Sequence, residues 1–231
     1  NTTIFVVLLA VIKYIIHRYS GQSDLIIGTP ITLRNFTNLE NQVGYYLNSI
    51  AIRSQISENS TLSEYVQQIK ERMTDGISHS LIPFDEIIDL VGVRRDKSRN
   101  PVFDIWADYH QYTNKENLGF LNLDDSKVEE FNTKINSEIT KYDLTFIFIE
   151  GMNQLELQFE YNETIYDSCL INNMLESILY SISNLSFNPN IHLYEIPYLS
   201  DLQKKRLALV NHSIQNFEYS ESILTDFEKM V

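Results

Sequence analysis

A chain of 231 residues can bury one sizeable core, and its length admits one domain or two small ones. With 18 Lys and Arg against 31 Asp and Glu, its formal charge of −13 repels phosphate backbones and anionic lipid. Nucleic acid and membrane surfaces are therefore set aside as partners. The 14 Tyr and 12 Phe suit a sheet-rich globular protein, and the single Cys169 leaves no internal disulfide, as in a reducing cytoplasm.

Ile4 to Ile16 is nearly all apolar, interrupted by Lys13, and too short to cross ~30 Å of hydrocarbon. It has neither the basic start nor the small-residue cleavage site of a signal peptide. It predicts a buried helix over residues 3 to 19, apolar all round and stopped at Ser20-Gly21. A chain that opens in such a helix, without cap or Met, reads as a piece of something longer. Leu25 to Ile31 is a short apolar strand and 34 to 41 a polar loop. Val43 to Ile56 reads as a long strand in which Gly44 admits close backbone approach and Leu47, Ile50 and Ile52 pack. Asn48 and Arg53 read as polar groups satisfied at the edge of the core.

Thr61 and Glu64 form a capping box for a helix from 61 to 79, with Leu62, Tyr65, Val66, Ile69, Met73 and Ile77 at helical spacing. His79 ends that helix, where the dipole favours a cation. It is also the candidate for a general base, although no regular register fixes it against Asp85. Pro83 opens a second helix, Phe84 to Val91, with Asp85, Glu86 and Asp89 on its outer face.

The stretch Val93 to Tyr109 runs from a charged turn into a strand. Pro101 pushes Asn100 into an extended conformation, and Asp96, Ser98 and Asn100 can fold their side chains onto nearby amides. Phe103, Ile105, Ala107 and Tyr109 then alternate with Val102, Asp104, Trp106 and Asp108. One face is core; the other is apolar and acidic together, as in a strand lining a cleft. An edge strand with a solvated loop is the plainer alternative.

A polar connector, 111 to 118, precedes a short strand within 121 to 131 and a loop over 132 to 140. Leu144 to Ile149 is apolar as a central strand is. A turn at 151 to 154 joins it to the alternating 155 to 162, which predicts a hairpin. Asp167 caps a last long helix with Ile171, Leu175, Ile178, Ile182 and Leu185 inward, ended by Asn188-Pro189. The five His lack metal-ligand spacing, and there is no G-x-S-x-G, no phosphate-cradling glycine loop and no C-x-x-C. Neighbouring acids such as Asp124-Asp125 and Glu129-Glu130 read as solvated.

Three motifs in order carry a family resemblance. VGYYLNSIAIR (Val43 to Arg53) resembles IGxFVNTLxLR, HSLIPFDEII (His79 to Ile88) resembles HQDVPFExLV, and RDKSRNPVF (Arg95 to Phe103) resembles RDxSRNPLF. DLIIGTP (Asp24 to Pro30), KYDLTFIFIE with LELQFEYN, and EIPYLSDLQKKR follow the same pattern. All are motifs of nonribosomal peptide synthetase condensation domains, and the chain resembles the second half of one.

The resemblance implies an α/β fold, a mixed, largely antiparallel sheet flanked by helices in a chloramphenicol acetyltransferase-like lobe. Residues 1–207 would be the C-terminal lobe, and 208–231 a linker and the start of an adenylation domain. Family members form amide bonds between carrier-bound donor thioesters and acceptor amines in secondary metabolite biosynthesis. Their catalytic histidine comes from an HHxxxDG motif in the first half. This sequence has no His-His pair, so it carries no catalytic residue of that kind and is not expected to act alone.

Implied partners are the N-terminal lobe, peptidyl carrier proteins and an adjacent adenylation domain. No cofactor binds directly; phosphopantetheine is on the carriers. Positions carried over as tunnel-wall or interface residues are Gly44, Asn48 and Arg53; His79, Pro83 and Phe84; and Arg95, Asp96, Ser98, Arg99, Asn100 and Pro101. Trp106 joins them on the strand that follows. An ion pair of Arg99 or Arg95 with Asp96 would brace the loop.

Leu81 stands where the second motif has an acid, and Asp85 replaces its Glu. Asp104, Trp106 and Asp108 stand where smaller, apolar residues are usual, which implies a substrate of different polarity. A non-catalytic condensation-like docking domain and a coenzyme A-dependent acyltransferase of related fold are the alternatives. Epimerisation relatives fit less well, since their NYxGQ-like ending is missing after Asn100-Pro101.

Overall fold

The computed structural model describes residues 2–34, 37–39, 42–92, 99–111, 140–185, 188–211 and 227. Helix α1, Ile4–Ser20, starts on Thr3, whose hydroxyl accepts the Val6 N–H, so the helix has a cap after all. It stops at Gly21, which takes φ 71° and donates its N–H to the His17 carbonyl. Leu9, Ile12 and Ile15 are fully buried, as an all-apolar helix requires, and Lys13 is buried with them.

Five strands follow: β1 (Asp24–Thr32), β2 (Leu47–Gln55), β3 (Ile105–Gln111), β4 (Leu144–Glu150) and β5 (Leu155–Tyr161). They form one sheet in the order β2-β1-β3-β4-β5, antiparallel at both edges and parallel through the centre. The register sorts the residues onto two faces. Leu25 and Ile27, Ile50 and Ile52, Ala107, Phe146 and Phe148 lie on one face, and α1 packs with them. Helices α2 (Leu62–Ser78) and α4 (Ser168–Ser183) add Tyr65 and Ile69, and Ile171, Met174 and Ile178, to the same core.

Helix α2 has the expected capping box of Thr61 and Glu64, and α3 spans Phe84–Val91 behind Pro83. Three expectations are displaced. The strand expected from Val43 begins at Leu47, because the carbonyls of Leu39, Gln42 and Gly44 turn toward the Arg34 guanidinium. The strand expected after Pro101 begins at Ile105. Helix α4 closes at Asn184, whose main-chain and side-chain N–H groups both take the Tyr180 carbonyl, before Asn188-Pro189 is reached. The connector and short strand expected at 112 to 139 lie outside the described residues.

After α4 the chain returns along the start of α2. Leu62 and Ser63 donate to the Ile191 and Pro189 carbonyls, and Leu193 donates to Ser60. The Tyr14 hydroxyl holds the Ile196 carbonyl at 3.1 Å. Residues Asn1–Tyr198 make one compact unit and Leu199–Val231 a second. Within the second, helix α5 (Asp201–Asn211) begins on a reciprocal cap between Ser200 and Gln203, inside the EIPYLSDLQKKR motif.

Candidate functional site

The face of the sheet turned away from α1 carries Phe103 and Trp106, while Asn48 stands on the other face at the start of β2, in line with Ile50 and Ile52. On the Trp106 face the floor is Gly28 of β1, paired with Ala51 of β2 and Trp106 of β3. A Cβ on Gly28 would lie 2.2 Å from Cε2 of Phe103, so only glycine lets that ring down. Phe103 is buried, and its ring centroid is 5.2 Å from Phe84, 5.9 Å from Trp106 and 5.7 Å from Tyr142. Trp106 and Tyr142 stack with centroids 5.0 Å apart and planes at 2°. Phe103 was expected with Ala107 on the core face. The bends over residues 99 to 104 break the alternation and deliver it to the Trp106 side.

Asn48 ties the first motif to the second. Its amide N–H groups reach the carbonyls of Ser80 (2.8 Å) and Ile82 (2.7 Å), and its side-chain oxygen accepts from Ser49 (2.9 Å) and Phe84 (3.2 Å). All four bonds go to main chain, which is what a half-buried amide ordinarily does. They fix the turn that leads through Pro83 into α3 and so aim Phe84 at Phe103.

Arg99 braces the foot of β3 and β4. Its guanidinium lies 3.0 Å from Asp104 and 3.9 Å from Asp143, and these aspartates are its described partners. The expected pairing through Asp96 cannot be placed, since Arg95, Asp96 and Ser98 lie outside the described residues. Asp143 and Leu144 donate their N–H groups to the Asp104 carbonyl, at 2.9 and 3.3 Å. Burial pushes the Asp143 carboxyl up, Asp104 adds to the rise, and Arg99 opposes it. The Tyr166 phenol is pushed up by burial first, then by Asp143 and Asp104. Asn100 folds back as expected, its side-chain oxygen accepting from Val102 at 3.4 Å just beyond Pro101.

The remaining positions lie apart from this cluster. Arg53 grips Asp24 of β1 with a two-pronged contact, Nε to Oδ1 at 2.9 Å and Nη2 to Oδ2 at 2.6 Å. Those hydrogen bonds hold the Asp24 carboxyl below the usual range. His79 finishes α2: its Nδ1 is 2.8 Å from the Asp75 carbonyl and 2.9 Å from the Ser78 hydroxyl. Arg53 and His79 share a groove of ≈ 640 Å³ with Asp24, Arg72 and Asp75. Gly44 sits before β2, its missing Cβ leaving room for the Tyr46 ring.

Sequence reasoning missed Gly28, Tyr142 and Asp143, which act only through partners distant in the chain. It also missed His110, whose Nε2 lies 3.2 Å from Asp108 on the same face. The signal for that pair was the spacing of two, which puts both on one side of a strand. Among the described residues no group of three or more His, Cys, Asp or Glu is placed to hold a metal ion. No described helix is long and apolar enough to cross a membrane.

Helices on one face of a mixed five-stranded sheet, with an aromatic and acidic cluster on the other, make a mixed α/β fold that solved structures share. A holo four-domain nonribosomal peptide synthetase bound to AMP and glycine superposes with a TM-score of 0.72 at 22% identity, over 87% of this chain and 16% of that one. The X-domain of teicoplanin biosynthesis in complex with OxyB gives 0.70 at 18% identity, over 87% of this chain and 44% of that one.

The family model for the condensation domain matches residues 1–208, and the chain belongs to that family. It is similar to tyrocidine synthase 3 of Brevibacillus parabrevis, 30% identical over 232 residues, and to gramicidin S synthase 2 of Brevibacillus brevis, 29% identical over 234. All of this chain is covered in both, but it spans only 4% and 5% of those relatives.

Proposed function

We propose that residues 1–207 are the C-terminal lobe of a condensation domain in nonribosomal peptide synthesis, and that 208–231 lead into an adenylation domain. The lobe supplies one wall of a tunnel and part of the docking surface for peptidyl carrier proteins. Phosphopantetheine arms on two such carriers bring in a donor thioester and an acceptor amine. The amine attacks the thioester carbon, an amide forms, and the donor's thiol leaves. The proton-handling HHxxxDG belongs to the N-terminal lobe, and the assembly works in the cytoplasm.

The observation that carries this reading is the division of the sheet. One face holds the core with α1, α2 and α4, while Phe84, Phe103, Arg99 and Trp106 gather at the other, and Asn48, in line with Ile50 and Ile52, holds the turn that delivers Phe84 to them. These residues position structure: their contacts run to main chain, to rings and, for Arg99, to the Asp104 and Asp143 carboxylates. The 44% share of the X-domain chain that this chain covers is what one of two lobes would cover.

The test is reconstitution. Mixed with a complementary N-terminal half and two loaded carrier proteins, the chain should yield a dipeptidyl thioester. The chain with carriers alone should yield none, and product from it alone would overturn the assignment. A condensation-like docking lobe is the second reading, favoured by the likeness to the X-domain solved with OxyB. It predicts assembly with the complementary half but no product.

A further inference from the structure

β3 is the middle strand of the five, and its face away from the core carries Trp106, Asp108 and His110 in a row. Trp106 is taken up in the aromatic cluster; the other two are not. The Asp108 carboxylate is held at both oxygens. Oδ1 accepts the Tyr109 N–H at 2.7 Å, and Oδ2 lies 3.2 Å from His110 Nε2.

With the ring proton on Nε2, beside the Asp108 carboxylate, the lone pair of Nδ1 is an acceptor. Nδ1 has no partner among the described residues. The His110 side chain is 58% exposed while Asp108 is only 22% exposed, so the ring stands proud and its carboxylate anchor is recessed. Across the ladder, Asp108 faces Ile147 and His110 faces Ile149, both apolar. A carboxylate-backed acceptor beside an apolar wall suits a small cationic donor better than an anion or a carbonyl.

We propose that the Asp108–His110 pair binds the amino group of the acceptor substrate, a primary amine or ammonium carried on an aminoacyl thioester. This assignment rests on the reading of this face as a tunnel wall. An N–H of the amine donates to His110 Nδ1, and the Asp108 charge favours the approach of the cation. A neutral amine held through an N–H keeps its own lone pair directed away from the ring, as attack on a thioester requires. His110 contacts the substrate, and Asp108 is a positioning residue that acts through it.

The 231-residue chain allows a binding test without chemistry. With 15N-labelled histidine, the His110 ring signals are assigned from the His110→Gln variant and followed as glycinamide is added, with N-acetylglycinamide as the uncharged control. Glycinamide should shift the His110 signals saturably, the acetylated control should not, and Asp108→Asn should abolish the shift. Equal behaviour of the two probes overturns the amine site and leaves the tunnel reading standing.

In a complete condensation domain, His110→Gln and Asp108→Asn should each raise the KM for an aminoacyl acceptor about 3- to 10-fold, the worth of one hydrogen bond, with donor KM unchanged. If glycinamide binds the lobe while acceptor KM stays put, the acceptor assignment falls, and the tunnel reading of this face falls with it.

Discussion

Replacing Lys13 by Met tests how the core tolerates a cation. Lys13 is 0% exposed on α1, and its Nζ donates to the carbonyls of Leu25 on β1 (2.9 Å) and Ile52 on β2 (2.7 Å). Burial pushes its amine down from 10.5 to about 7, with Asp24 opposing. A neutral amine still has two N–H groups, enough for both carbonyls, whereas an ammonium leaves a third without a partner.

Between pH 7 and 10.5 the unfolded chain therefore carries a proton that the folded chain lacks, and stability rises with pH. At 1.36 kcal/mol per unit, the full shift amounts to roughly 5 kcal/mol. Methionine matches the length of the side chain without titrating. Urea unfolding followed by far-UV circular dichroism, from about pH 6 to about pH 9.5, gives the difference between wild type and Lys13→Met. That difference should move in favour of the wild type by about 3 kcal/mol between neutrality and the alkaline end. Parallel pH curves would refute the reasoning, since Lys13 would then keep its proton in the fold.

Asn48→Ala strips partners from two carbonyls and the Phe84 N–H, and should cost about 2–3 kcal/mol in thermal denaturation. Asn48→Asp should fall at least as far, because a carboxylate cannot donate; a loss under about 0.5 kcal/mol would count against the tie. Gly28→Ala drives a methyl into the Phe103 ring and should cost about 1–3 kcal/mol. It should also change the near-UV dichroism of Trp106, and an unchanged spectrum would mean the ring is not held there.

Arg99→Ala removes the cation that restrains Asp143, so a carboxyl 13C titration should find Asp143 pushed higher still. A carboxyl raised in the fold stabilises at acid pH and loses that contribution as pH climbs through its folded value. The variant should therefore lose stability more steeply over about pH 4 to 6. An unmoved Asp143 titration would show that the 3.9 Å contact is immaterial.

Elements with a strong local signature were legible in the sequence. α2 announces itself by Thr61, Glu64 and a 3.6-residue stripe, and the β4–β5 hairpin by alternation around its turn. The motif residues were legible as positions but not as contacts. That Asn48 would hold Ser80, Ile82 and Phe84 depends on a turn thirty-odd residues away. Phe103 was assigned to the wrong face because the bends ahead of Ile105 shift a period-two pattern. Lys13 read as an interruption of an apolar helix; only the strand carbonyls above it explain how it stays inside. The Ser200–Gln203 cap was in the sequence, inside the EIPYLSDLQKKR match, and went unread as a helix start because α5 lacks a clear apolar stripe.

Trp106 is the single tryptophan of the chain and sits on the face assigned to the tunnel. 5-Fluorotryptophan incorporation therefore gives one 19F resonance that reports on that face. Adding an unlabelled N-terminal half of a condensation domain should shift this resonance and lower its paramagnetic solvent broadening as the face is covered. A complex that forms while the Trp106 signal keeps its position and solvent exposure would place the partner elsewhere and contradict the account.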